Sequence, residues 1–327
     1  MSHVLVTGGA GYIGSHACKA LRSAGYIPVA YDNLSTGWED AVKFGPFEQG
    51  DLADRANLDR VFMQYQPSAV MHFAAFSQVG ESMRAPGTYW HNNVVGSLNL
   101  IESAIANGCL DFVFSSTCAT YGDHDGVVLD ESTPQDPINA YGASKRAIED
   151  ILRNFGASHG LNSVIFRYFN VAGADPDGEV GEFHQPETHL IPLMLDAIDG
   201  KRAALTVHGT DYDTPDGTCI RDYVHVMDLV DAHILGLNWL EEGKGSRVFN
   251  LGTGKGFSVR EVIEHSRSVT NRTVPYEDGP RRPGDCVKLV SGSVRAYHDL
   301  GWTPKRSTLE VMIADAWRWH QNGHYDR

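Results

Sequence analysis

A glycine-rich turn between a predicted strand and a predicted helix constrains the fold of this chain more than any other feature. The segment Thr7-Gly8-Gly9-Ala10-Gly11-Tyr12-Ile13-Gly14 follows the β-branched run 3–7, and a helical pattern begins at Tyr12. Glycines at this spacing let the backbone turn tightly, so that a pyrophosphate can reach the free N–H groups of the following helix. The turn therefore predicts a dinucleotide site. Its predicted contacts are Gly8, Gly11, Tyr12, Ile13 and Gly14.

The first half of the chain alternates short β-branched runs with longer helical patterns. Strands are predicted at residues 3–7, 27–31, 69–73, 111–115 and 163–168, and helices at residues 12–24, 54–65, 89–106 and 141–157. Strands separated by helix-length segments indicate a parallel, doubly wound sheet. We therefore predict an α/β fold with a Rossmann-type doubly wound parallel sheet and a smaller α/β substrate lobe.

The second half of the chain has a different pattern. Segments rich in Gly, Pro and Asp interrupt it at residues 172–189, 208–216 and 277–285. Helices are predicted at residues 190–198, 226–241, 259–268 and 309–320, and one more strand at 247–251. Loops of this kind build binding surfaces. We predict a dinucleotide-binding domain over residues 1–170 with a return segment near 220–255, and a smaller, partly interleaved substrate domain over residues 171–327.

The acidic balance of the chain argues against two broad classes of partner. Lys and Arg total 27 against 41 Asp and Glu, which gives a formal net charge of −14. Such a chain repels phosphate backbones and anionic lipid, so neither nucleic acid nor a membrane is expected as a partner. The five cysteines show no CxxC pair, no apolar run reaches the length of a membrane span, and glycine comes too early for a signal peptide. These features indicate a cytoplasmic protein.

The second predicted strand leads to an acidic residue that favours one dinucleotide over another. Asp32 stands 18 residues beyond Gly14. A carboxylate there accepts hydrogen bonds from the adenosine ribose and repels a 2′-phosphate, so the sequence favours NAD over NADP. Two further segments follow strands of the same sheet. They are Asp51-Leu52 and Phe73-Ala74-Ala75, which we expect to form the adenine-side and nicotinamide-side walls.

Tyr141 and Lys145 stand four residues apart at the start of a predicted helix and therefore share one helix face. A free phenol, with a pKa of about 10, is a poor base at neutral pH. Before desolvation is counted, an ammonium group about 4 Å away contributes about 4 kcal/mol at an effective dielectric constant of about 20, or roughly three pKa units. We therefore expect Lys145 and an oxidised nicotinamide to lower the pKa of Tyr141 and make it a proton acceptor. Thr117 adds a hydroxyl group beyond the predicted strand 111–115.

Several longer motifs accompany these residues. They are His72-Phe73-Ala74-Ala75, Val79-Gly80-Glu81-Ser82, Arg167-Tyr168-Phe169-Asn170, Arg221-Asp222-Tyr223-Val224-His225-Val226 and Arg281-Arg282-Pro283-Gly284-Asp285. With them, the chain resembles the UDP-glucose 4-epimerase family of the extended short-chain dehydrogenase/reductase superfamily, from Val4 to about Trp319. The resemblance implies that Tyr141 removes the proton of the sugar 4-hydroxyl while hydride passes to a retained NAD. Thr117 would hydrogen-bond the 4-oxygen, and Lys145 would also hold the nicotinamide ribose.

The resemblance also implies further binding residues. At the cofactor it adds Asn33, Leu34, Ser35, Ser77, Asn92, Tyr168 and Phe169 to the residues named above. At the UDP-sugar it implies Arg221 and Arg282 for the diphosphate, Asp285 for the ribose, Thr206, Val207 and His208 for the uracil, and Asn170 and Leu190 for further contacts. His189 stands where the family has an asparagine, Leu289 where it has a pocket-gating tyrosine, and Ser77 where well-known bacterial members have a lysine. This pattern is similar to a subgroup that includes UDP-arabinose/UDP-xylose 4-epimerases.

Alternative functions remain open on the same fold. A nucleotide-sugar 4,6-dehydratase needs a carboxylate pair directly after the Ser/Thr, where this chain has Cys118-Ala119. A non-catalytic NAD-sensing protein has no reason to keep Tyr141, Lys145 and Thr117 together. A plain alcohol dehydrogenase needs an exchangeable cofactor and no diphosphate clamp. We therefore predict NAD-dependent 4-epimerisation of a UDP-sugar, UDP-galactose or UDP-glucose, with a UDP-pentose as the alternative substrate.

Two remaining sequence patterns are interpreted as structural features without a catalytic role. His184 and His189 flank Gln-Pro-Glu-Thr, which is not HExxH and shows no third ligand, so we expect loop histidines and no metal site. Apolar stripes on two predicted helices are expected to pack in the core. They comprise Val94, Leu98, Ile101 and Ile105 on one helix and Ile148, Ile151, Leu152 and Phe155 on the other. Because the family uses these two helices in a dimeric four-helix bundle, a homodimer is predicted.

Overall fold

A computed structural model of the chain describes residues 1–124, 127–282, 284–323 and 325. In chain order the strands are β1 (His3–Thr7), β2 (Ile27–Asp32), β3 (Phe47–Gln49), β4 (Ala69–His72), β5 (Asp111–Thr117), β6 (Asn162–Tyr168), β7 (Asn170–Ala172), β8 (Leu205–His208), β9 (Ile220–His225), β10 (Arg247–Leu251), β11 (Gly256–Ser258), β12 (Tyr276–Gly279) and β13 (Lys288–Leu289). The helices are α1 (Tyr12–Ser23), α2 (Arg55–Tyr65), α3 (Val79–Arg84), α4 (Pro86–Tyr89), α5 (Gly96–Ala106), α6 (Ala140–His159), α7 (Leu190–Ile198), α8 (Val226–Glu241), α9 (Val259–Thr270), α10 (Val294–Leu300) and α11 (Leu309–Asn322).

The large sheet has seven parallel strands in the order β3-β2-β1-β4-β5-β6-β10. The chain moves outward in one direction from β1 to β3 and in the other from β4 onward, so the order reverses between β1 and β4. In open α/β sheets a ligand binds beyond the carboxyl ends of the strands at such a reversal. The predicted Rossmann-type fold is confirmed, and β10 pairs in register with β6 at the edge of the sheet.

Alternating strand residues pack into separate cores on the two faces of the large sheet. Val4 and Val6 of β1 pack on one face with apolar residues of α1 and α8, whereas Leu5 packs on the other with residues of α2, α5 and α6. Because successive strand side chains point to opposite faces, both faces must be covered by helices. This packing makes the sheet doubly wound. The stripes on α5 and α6 lie partly in this second core, which contains Ile101, Ile148 and Leu152.

The smaller lobe is built on two short sheets. One contains β11-β9-β13, with β7 also paired to β9, and the other contains β12 and β8. Residues of α7, α9 and α11 pack with these strands in a third core. The predicted loop at 277–285 is wrong in its first three residues, since Glu277 to Gly279 pair with β8. The division of the chain into domains at residue 170 stays a prediction.

The helix predicted at 89–106 is a composite of three helical segments. It comprises α4, the π-helical segment Trp90–Val95 and α5. The π-helical segment holds Asn93, whose side chain is fully buried. Among the described residues, helices long and apolar enough to cross a membrane are absent.

Candidate active site

The glycine-rich turn lies between β1 and α1 at the reversal of strand order. Gly8 has a left-handed φ of +74°, and a Cβ atom there would come within 2.6 Å of the Ala74 backbone nitrogen. A Cβ atom on Gly14 would come within 2.0 Å of the Gly8 carbonyl oxygen. Both positions therefore require glycine for the close approach of β1, α1 and the segment after β4.

The start of α1 suits a phosphate group. Gly11 is the N-cap residue, no side chain caps the first turn, and that turn carries no acidic residue. The first N–H groups of a helix have no partner within the helix and attract an anion through the helix dipole. Tyr12 and Ile13 open this turn, and the Tyr12 hydroxyl donates a hydrogen bond to the Gly173 carbonyl oxygen at 2.7 Å. The residues present therefore fit a pyrophosphate.

Asp32 ends β2 beside this turn. Its carboxylate oxygens accept hydrogen bonds from the backbone N–H groups of Ala10, at 3.0 Å, and Leu34, at 2.8 Å. Burial raises the pKa of Asp32, and these two hydrogen bonds oppose that effect. Leu34 itself has a φ of +60°. The contacts fix the carboxylate at the place where an adenosine ribose lies in dinucleotide-binding folds.

The predicted walls of the cofactor site lie around the same edge of the sheet. The Asn33 amide donates to the Asp51 carboxylate at 2.8 Å, and the Asn33 side-chain oxygen accepts from the Ser35 backbone N–H at 2.9 Å. Leu52 is buried, whereas Ser77 is exposed. On the other side of the turn, the backbone N–H groups of Phe73 and Ala74 both donate to the Thr7 carbonyl oxygen, and Ala75 follows them. The structure thus places the two predicted walls on opposite sides of the glycine turn.

Tyr141 and Thr117 approach each other at the carboxyl end of β5. Thr117 is the last residue of β5, and Tyr141 lies in the first turn of α6, which Asn139 caps through the Gly142 N–H. The Thr117 side chain lowers the pKa of the Tyr141 phenol, so the two hydroxyl groups are close neighbours. Lys145 is one helical turn further along and donates from Nζ to the Ser115 carbonyl oxygen at 2.8 Å. The structure therefore brings the three predicted catalytic residues together.

Burial acts on the pKa of Tyr141 against the expected effect of Lys145 and nicotinamide. Burial raises the pKa of Tyr141 well above its ordinary value, with a contribution from Tyr168, and the Thr117 hydrogen bond offsets only part of this. Burial also lowers the pKa of Lys145 to about 7, against the opposing charge of Glu149. Lys145 is therefore only partly charged near neutral pH. The four-residue spacing of Tyr141 and Lys145 could not predict these pKa shifts, because burial acts on both side chains.

A buried hydrogen-bond network around Glu149 of α6 was not predicted from the sequence. The Glu149 carboxylate accepts from the Ser116 hydroxyl at 2.6 Å and from two nitrogens of the Arg167 guanidinium. Glu149 stands four residues after Lys145, so an acidic residue on the same helix face was the available signal. The network fixes α6 against the ends of β5 and β6.

Asn93 was also missed, although its neighbour Asn92 was predicted. The Asn93 side-chain oxygen accepts from the Phe76 N–H at 2.9 Å, and its amide donates to the Phe76 carbonyl oxygen and to the Ser144 hydroxyl. Asn92 donates to the same Asn93 oxygen at 2.9 Å. Asn93 therefore ties the wall after β4 to α6. The sequence pattern did not predict the π-helical segment, so it did not indicate that Asn93 is buried there.

Arg221 lies on β9 with only 9% of its surface exposed. Its guanidinium donates to the Ile220 carbonyl oxygen at 2.9 Å and lies 3.7 Å from the Asp285 carboxylate. These contacts leave much of a buried guanidinium to bind a further anion. Arg282, from the same predicted clamp, is exposed. Pro283 of that motif lies outside the described residues.

The other predicted substrate residues lie around β7, β8, β13 and α7. Asn170 pairs in register with Tyr223 of β9. Leu289 packs with Cys118 and Phe169, next to Thr117. In β8, Val207 is buried, Thr206 and His208 are half-buried, and Leu190 is the first residue of α7. The structure places these groups on the smaller lobe.

His184 and His189 lie close to further side chains that could bind a metal. The expectation that they show no third metal ligand is wrong. Glu182 and Glu187 join both histidines, and one ligand-type atom from each of the four residues lies within 4.8 Å of all the others. The turn between the histidines was interpreted from its spacing alone, which did not predict how the chain folds back. The Tyr12 ring lies 6.5 Å from the His184 ring. This group therefore adjoins the first turn of α1.

Comparison with known proteins places the chain in a family. A sequence profile described as Epimerase, the NAD dependent epimerase/dehydratase family, matches residues 4–252. A UDP-glucose 4-epimerase of Rhizobium meliloti (strain 1021) is 50% identical over 319 residues, covering 98% of this chain and 97% of the relative. The chain also resembles the crystal structure of UDP-glucose 4-epimerase from Brucella ovis in complex with NAD, with a TM-score of 0.94 and 46% identity over 97% of this chain and 98% of that one.

A solved structure with lower sequence identity aligns with this chain over a similar length. It is a UDP-glucose 4-epimerase from Stenotrophomonas maltophila with bound NAD and formylated UDP-arabinopyranose, at 35% identity and a TM-score of 0.94, covering 98% of each chain. The profile and the relatives that match nearly the whole chain agree on the family. This chain belongs to the NAD dependent epimerase/dehydratase family and, within it, to the UDP-glucose 4-epimerases.

Proposed function

We propose that the protein is an NAD-dependent 4-epimerase of UDP-galactose and UDP-glucose that acts through a transient 4-keto sugar. The observation that carries this proposal is that Thr117, Tyr141 and Lys145 lie at the same edge of the large sheet as the glycine turn. The nearly full-length similarity to UDP-glucose 4-epimerases supports it. The protein is therefore an isomerase.

The residues of the large sheet would hold NAD. The uncapped first turn of α1 would bind the pyrophosphate, and Asp32 would accept hydrogen bonds from the adenosine ribose. Because a carboxylate repels a 2′-phosphate, Asp32 favours NAD over NADP. Bound NAD would supply the group that accepts hydride from carbon 4 of the sugar and later returns it.

Tyr141 would move the proton of the sugar 4-hydroxyl. Burial raises the pKa of the phenol, so its action as a proton acceptor requires added positive charge at the site. Thr117 lies close to the phenol and would orient the sugar oxygen between the two hydroxyl groups. Lys145, with a pKa of about 7, can both hold and release a proton near neutral pH and would hold the nicotinamide ribose.

A 4-keto sugar must turn over while the rest of the substrate stays fixed. Arg221 and Arg282 would hold the diphosphate, because guanidinium groups bind phosphate through paired hydrogen bonds. The low exposure of Arg221 strengthens such contacts. The uracil and ribose would lie against β8 and Asp285, and the sugar would lie near Leu289.

Two observations bear on the competing functions. Cys118 follows Thr117, and burial raises the pKa of its thiol to about 12, so it cannot replace the carboxylate pair of a dehydratase at neutral pH. The Stenotrophomonas maltophila neighbour holds a UDP-pentose derivative, which keeps a UDP-pentose as the alternative substrate.

A homodimer and a cytoplasmic location complete the proposal. Trp90 and Val95, at the two ends of the π-helical segment that leads into α5, are 42% and 46% exposed. These apolar groups support a dimer through α5 and α6. All five cysteines are buried and unpaired, as is usual in a reducing compartment. Light scattering on the purified protein would measure the mass of the assembly.

The test is to incubate the purified protein with UDP-galactose and with UDP-arabinose in separate reactions, without added NAD. We expect UDP-glucose to form from UDP-galactose, using the NAD that purifies with the protein. Formation of a UDP-pentose epimer alone would assign the alternative substrate. If neither nucleotide sugar gives its 4-epimer, even after NAD is added, the proposed function is wrong.

A further inference from the structure

Four side chains with metal-binding atoms converge in the segment between β7 and α7. They are Glu182, His184, Glu187 and His189, and no step of the proposed reaction uses them as a group. The Glu182 and Glu187 side chains are only 8% and 11% exposed. Two carboxylates buried this close together need compensation by positive charge, which protonated imidazoles or a bound cation can supply.

The distances among these donors resemble the edges of a metal coordination sphere. The Glu182 carboxylate lies 2.8 Å from Nδ1 of His189 and 3.4 Å from Nδ1 of His184. The Glu187 carboxylate lies 3.1 Å from Nδ1 of His189 and 3.6 Å from Nδ1 of His184. A tetrahedral ion with ligands about 2.0–2.2 Å away separates neighbouring donors by about 3.3–3.6 Å. Small movements of these side chains would therefore suffice to bind an ion.

His184 indicates that the four groups do not fully satisfy one another. Its Nδ1 atom is buried and has no hydrogen-bond partner. The 3.4 Å and 3.6 Å separations to the carboxylates are too long for good hydrogen bonds. A buried nitrogen that faces two carboxylates without bonding to either is placed as a ligand for an ion between them.

We propose that Glu182, His184, Glu187 and His189 form a binding site for one divalent transition-metal ion of the zinc type. Two imidazoles with two carboxylates suit zinc and its neighbours, whereas Mg²⁺ and Ca²⁺ prefer oxygen ligands alone. With neutral histidines, the two carboxylates also balance the charge of the ion. A cleft of about 610 Å³, lined in part by Glu182, His184 and Glu187, gives the ion access from solvent.

The neighbouring acidic group offers an internal contrast. Asp175, Asp177 and Glu179 also converge, but Nζ of Lys19 lies 2.6–2.7 Å from one oxygen of each. That group already has its cation within the chain. Among the residues described by the structure, only these two groups of side chains have the spacing for a metal.

The proposed metal site would connect the predicted pyrophosphate site, at the start of α1, with the smaller lobe at the start of α7. His184 is in ring contact with Tyr12, in the first turn of α1, and His189 is the residue before α7. A metal bound here would hold the start of α7 against the start of α1. The proposal rests on these four residues and does not depend on the epimerase activity.

The direct test is metal analysis of the full-length protein, purified without chelator from cells grown with added zinc. We expect about one zinc ion per chain by elemental analysis. Removing the metal with EDTA should lower the melting temperature, and adding Zn²⁺ back should restore it while Mg²⁺ does not. Substituting Co²⁺ should give the visible absorption of a tetrahedral site.

Variants locate the ion. His184→Asn and Glu187→Gln should each weaken zinc binding at least tenfold in competition with a chromophoric chelator, while Asp177→Asn in the neighbouring acidic group should bind zinc as the wild type does. Retained circular dichroism shows that each variant is folded. The proposal is overturned if the wild type neither contains nor binds zinc stoichiometrically, or if the Asp177 variant loses zinc as much as the other two. An inactive epimerase that binds zinc would contradict only the proposed function.

Discussion

Arg167 and Glu149 form a two-point ion pair beneath the candidate active site. Nη2 of Arg167 lies 2.6 Å from one oxygen of Glu149, and Nε lies 3.0 Å from the other. Their side chains are 5% and 0% exposed. Removing one member of such a pair leaves the other charge buried without compensation.

We expect Glu149→Ala to lower the free energy of unfolding by about 3–5 kcal/mol, because Arg167 would stay buried and uncompensated. Urea unfolding followed by circular dichroism measures this change. Asp150→Asn is the matched control: Asp150 is next on the same helix, exposed, and paired with Arg153 at the surface. That variant should change stability by less than about 0.5 kcal/mol. Equal losses in both variants would contradict a structural role for the buried pair.

Tyr141→Phe should lower the epimerisation rate by about 10²–10⁴-fold, because it removes the hydroxyl that exchanges a proton with the sugar. The amount of bound nucleotide should not change, since the glycine turn and Asp32 remain. Product formation from UDP-galactose and the nucleotide released on denaturation measure the two effects. Tyr297→Phe, at a tyrosine that is 58% exposed, is the control and should behave as the wild type. Near-wild-type turnover of Tyr141→Phe would identify a different base.

Adjacent arginines allow a matched test of the diphosphate contact. Arg281 is already bound to Asp211 at 2.7 Å and lies over the Tyr212 ring, whereas Arg282 is exposed and its carbonyl oxygen accepts a hydrogen bond from the Asp285 backbone N–H. We expect Arg282→Ala to weaken UDP binding at least tenfold through loss of a charged hydrogen bond. Arg281→Ala should weaken it less than threefold, a loss within about 1 kcal/mol. Calorimetric titration with UDP measures both, and the reverse order would remove Arg282 from the clamp.

The packing of the glycine turn predicts that two similar substitutions lower the free energy of unfolding by different amounts. A methyl group on Gly14 would overlap the Gly8 carbonyl oxygen at 2.0 Å, whereas on Gly11 its nearest contact is that oxygen at 3.3 Å. Gly14→Ala should therefore lower the free energy of unfolding by about 1–3 kcal/mol. Gly11→Ala, a change at the N-cap, should cost less than about 1 kcal/mol. Urea unfolding of both variants is the measurement, and a larger loss at Gly11 would contradict the described packing.

A buried histidine predicts how stability depends on pH. Burial lowers the pKa of His233 to about 4, although the Leu229 carbonyl oxygen is 2.9 Å from Nδ1. The unfolded chain, with an ordinary pKa of about 6.5, binds a proton between pH 6.5 and 4 that the folded chain does not. The free energy of unfolding therefore falls as pH drops through this window, by up to about 1.4 kcal/mol per pH unit for this residue.

His233→Phe should remove that contribution and flatten the fall in stability between pH 6.5 and 4. The exposed His298 provides the control, because His298→Phe should leave the slope as it is in the wild type. Urea unfolding at several pH values gives the slopes. An unchanged slope in His233→Phe would mean that this imidazole accepts a proton in the folded protein.

Local patterns predicted the large sheet well and the smaller sheets poorly. The strands β1, β2, β4, β5, β6 and β10 have apolar runs between turns, and each was predicted to within two residues of its observed bounds. By contrast, β8 and β12 were missed because they are stabilised by each other across 71 residues, between Leu205 and Tyr276. Pairing over such a distance leaves little trace in a short window.

The site shows the same limit at the level of single residues. The meeting of Tyr141, Lys145 and Thr117 could be predicted because each follows a strand or opens a helix at the same edge of the sheet. The raised pKa of Tyr141 could not, since it depends on side chains that bury the phenol from other elements. The approach of Glu182 and Glu187 to two histidines likewise depends on the path of a loop that has no periodic pattern.

The late position of β10 in the chain has a consequence for synthesis on the ribosome. β6 ends at Tyr168, but its partner on the outer side runs from Arg247 to Leu251, so some 80 residues must emerge before that edge is covered. Until then the nascent polypeptide presents an open apolar strand, a template for pairing with other chains. A transcript truncated before residue 247 would therefore yield a product prone to aggregate, even though it encodes the whole glycine turn and the Tyr141 helix.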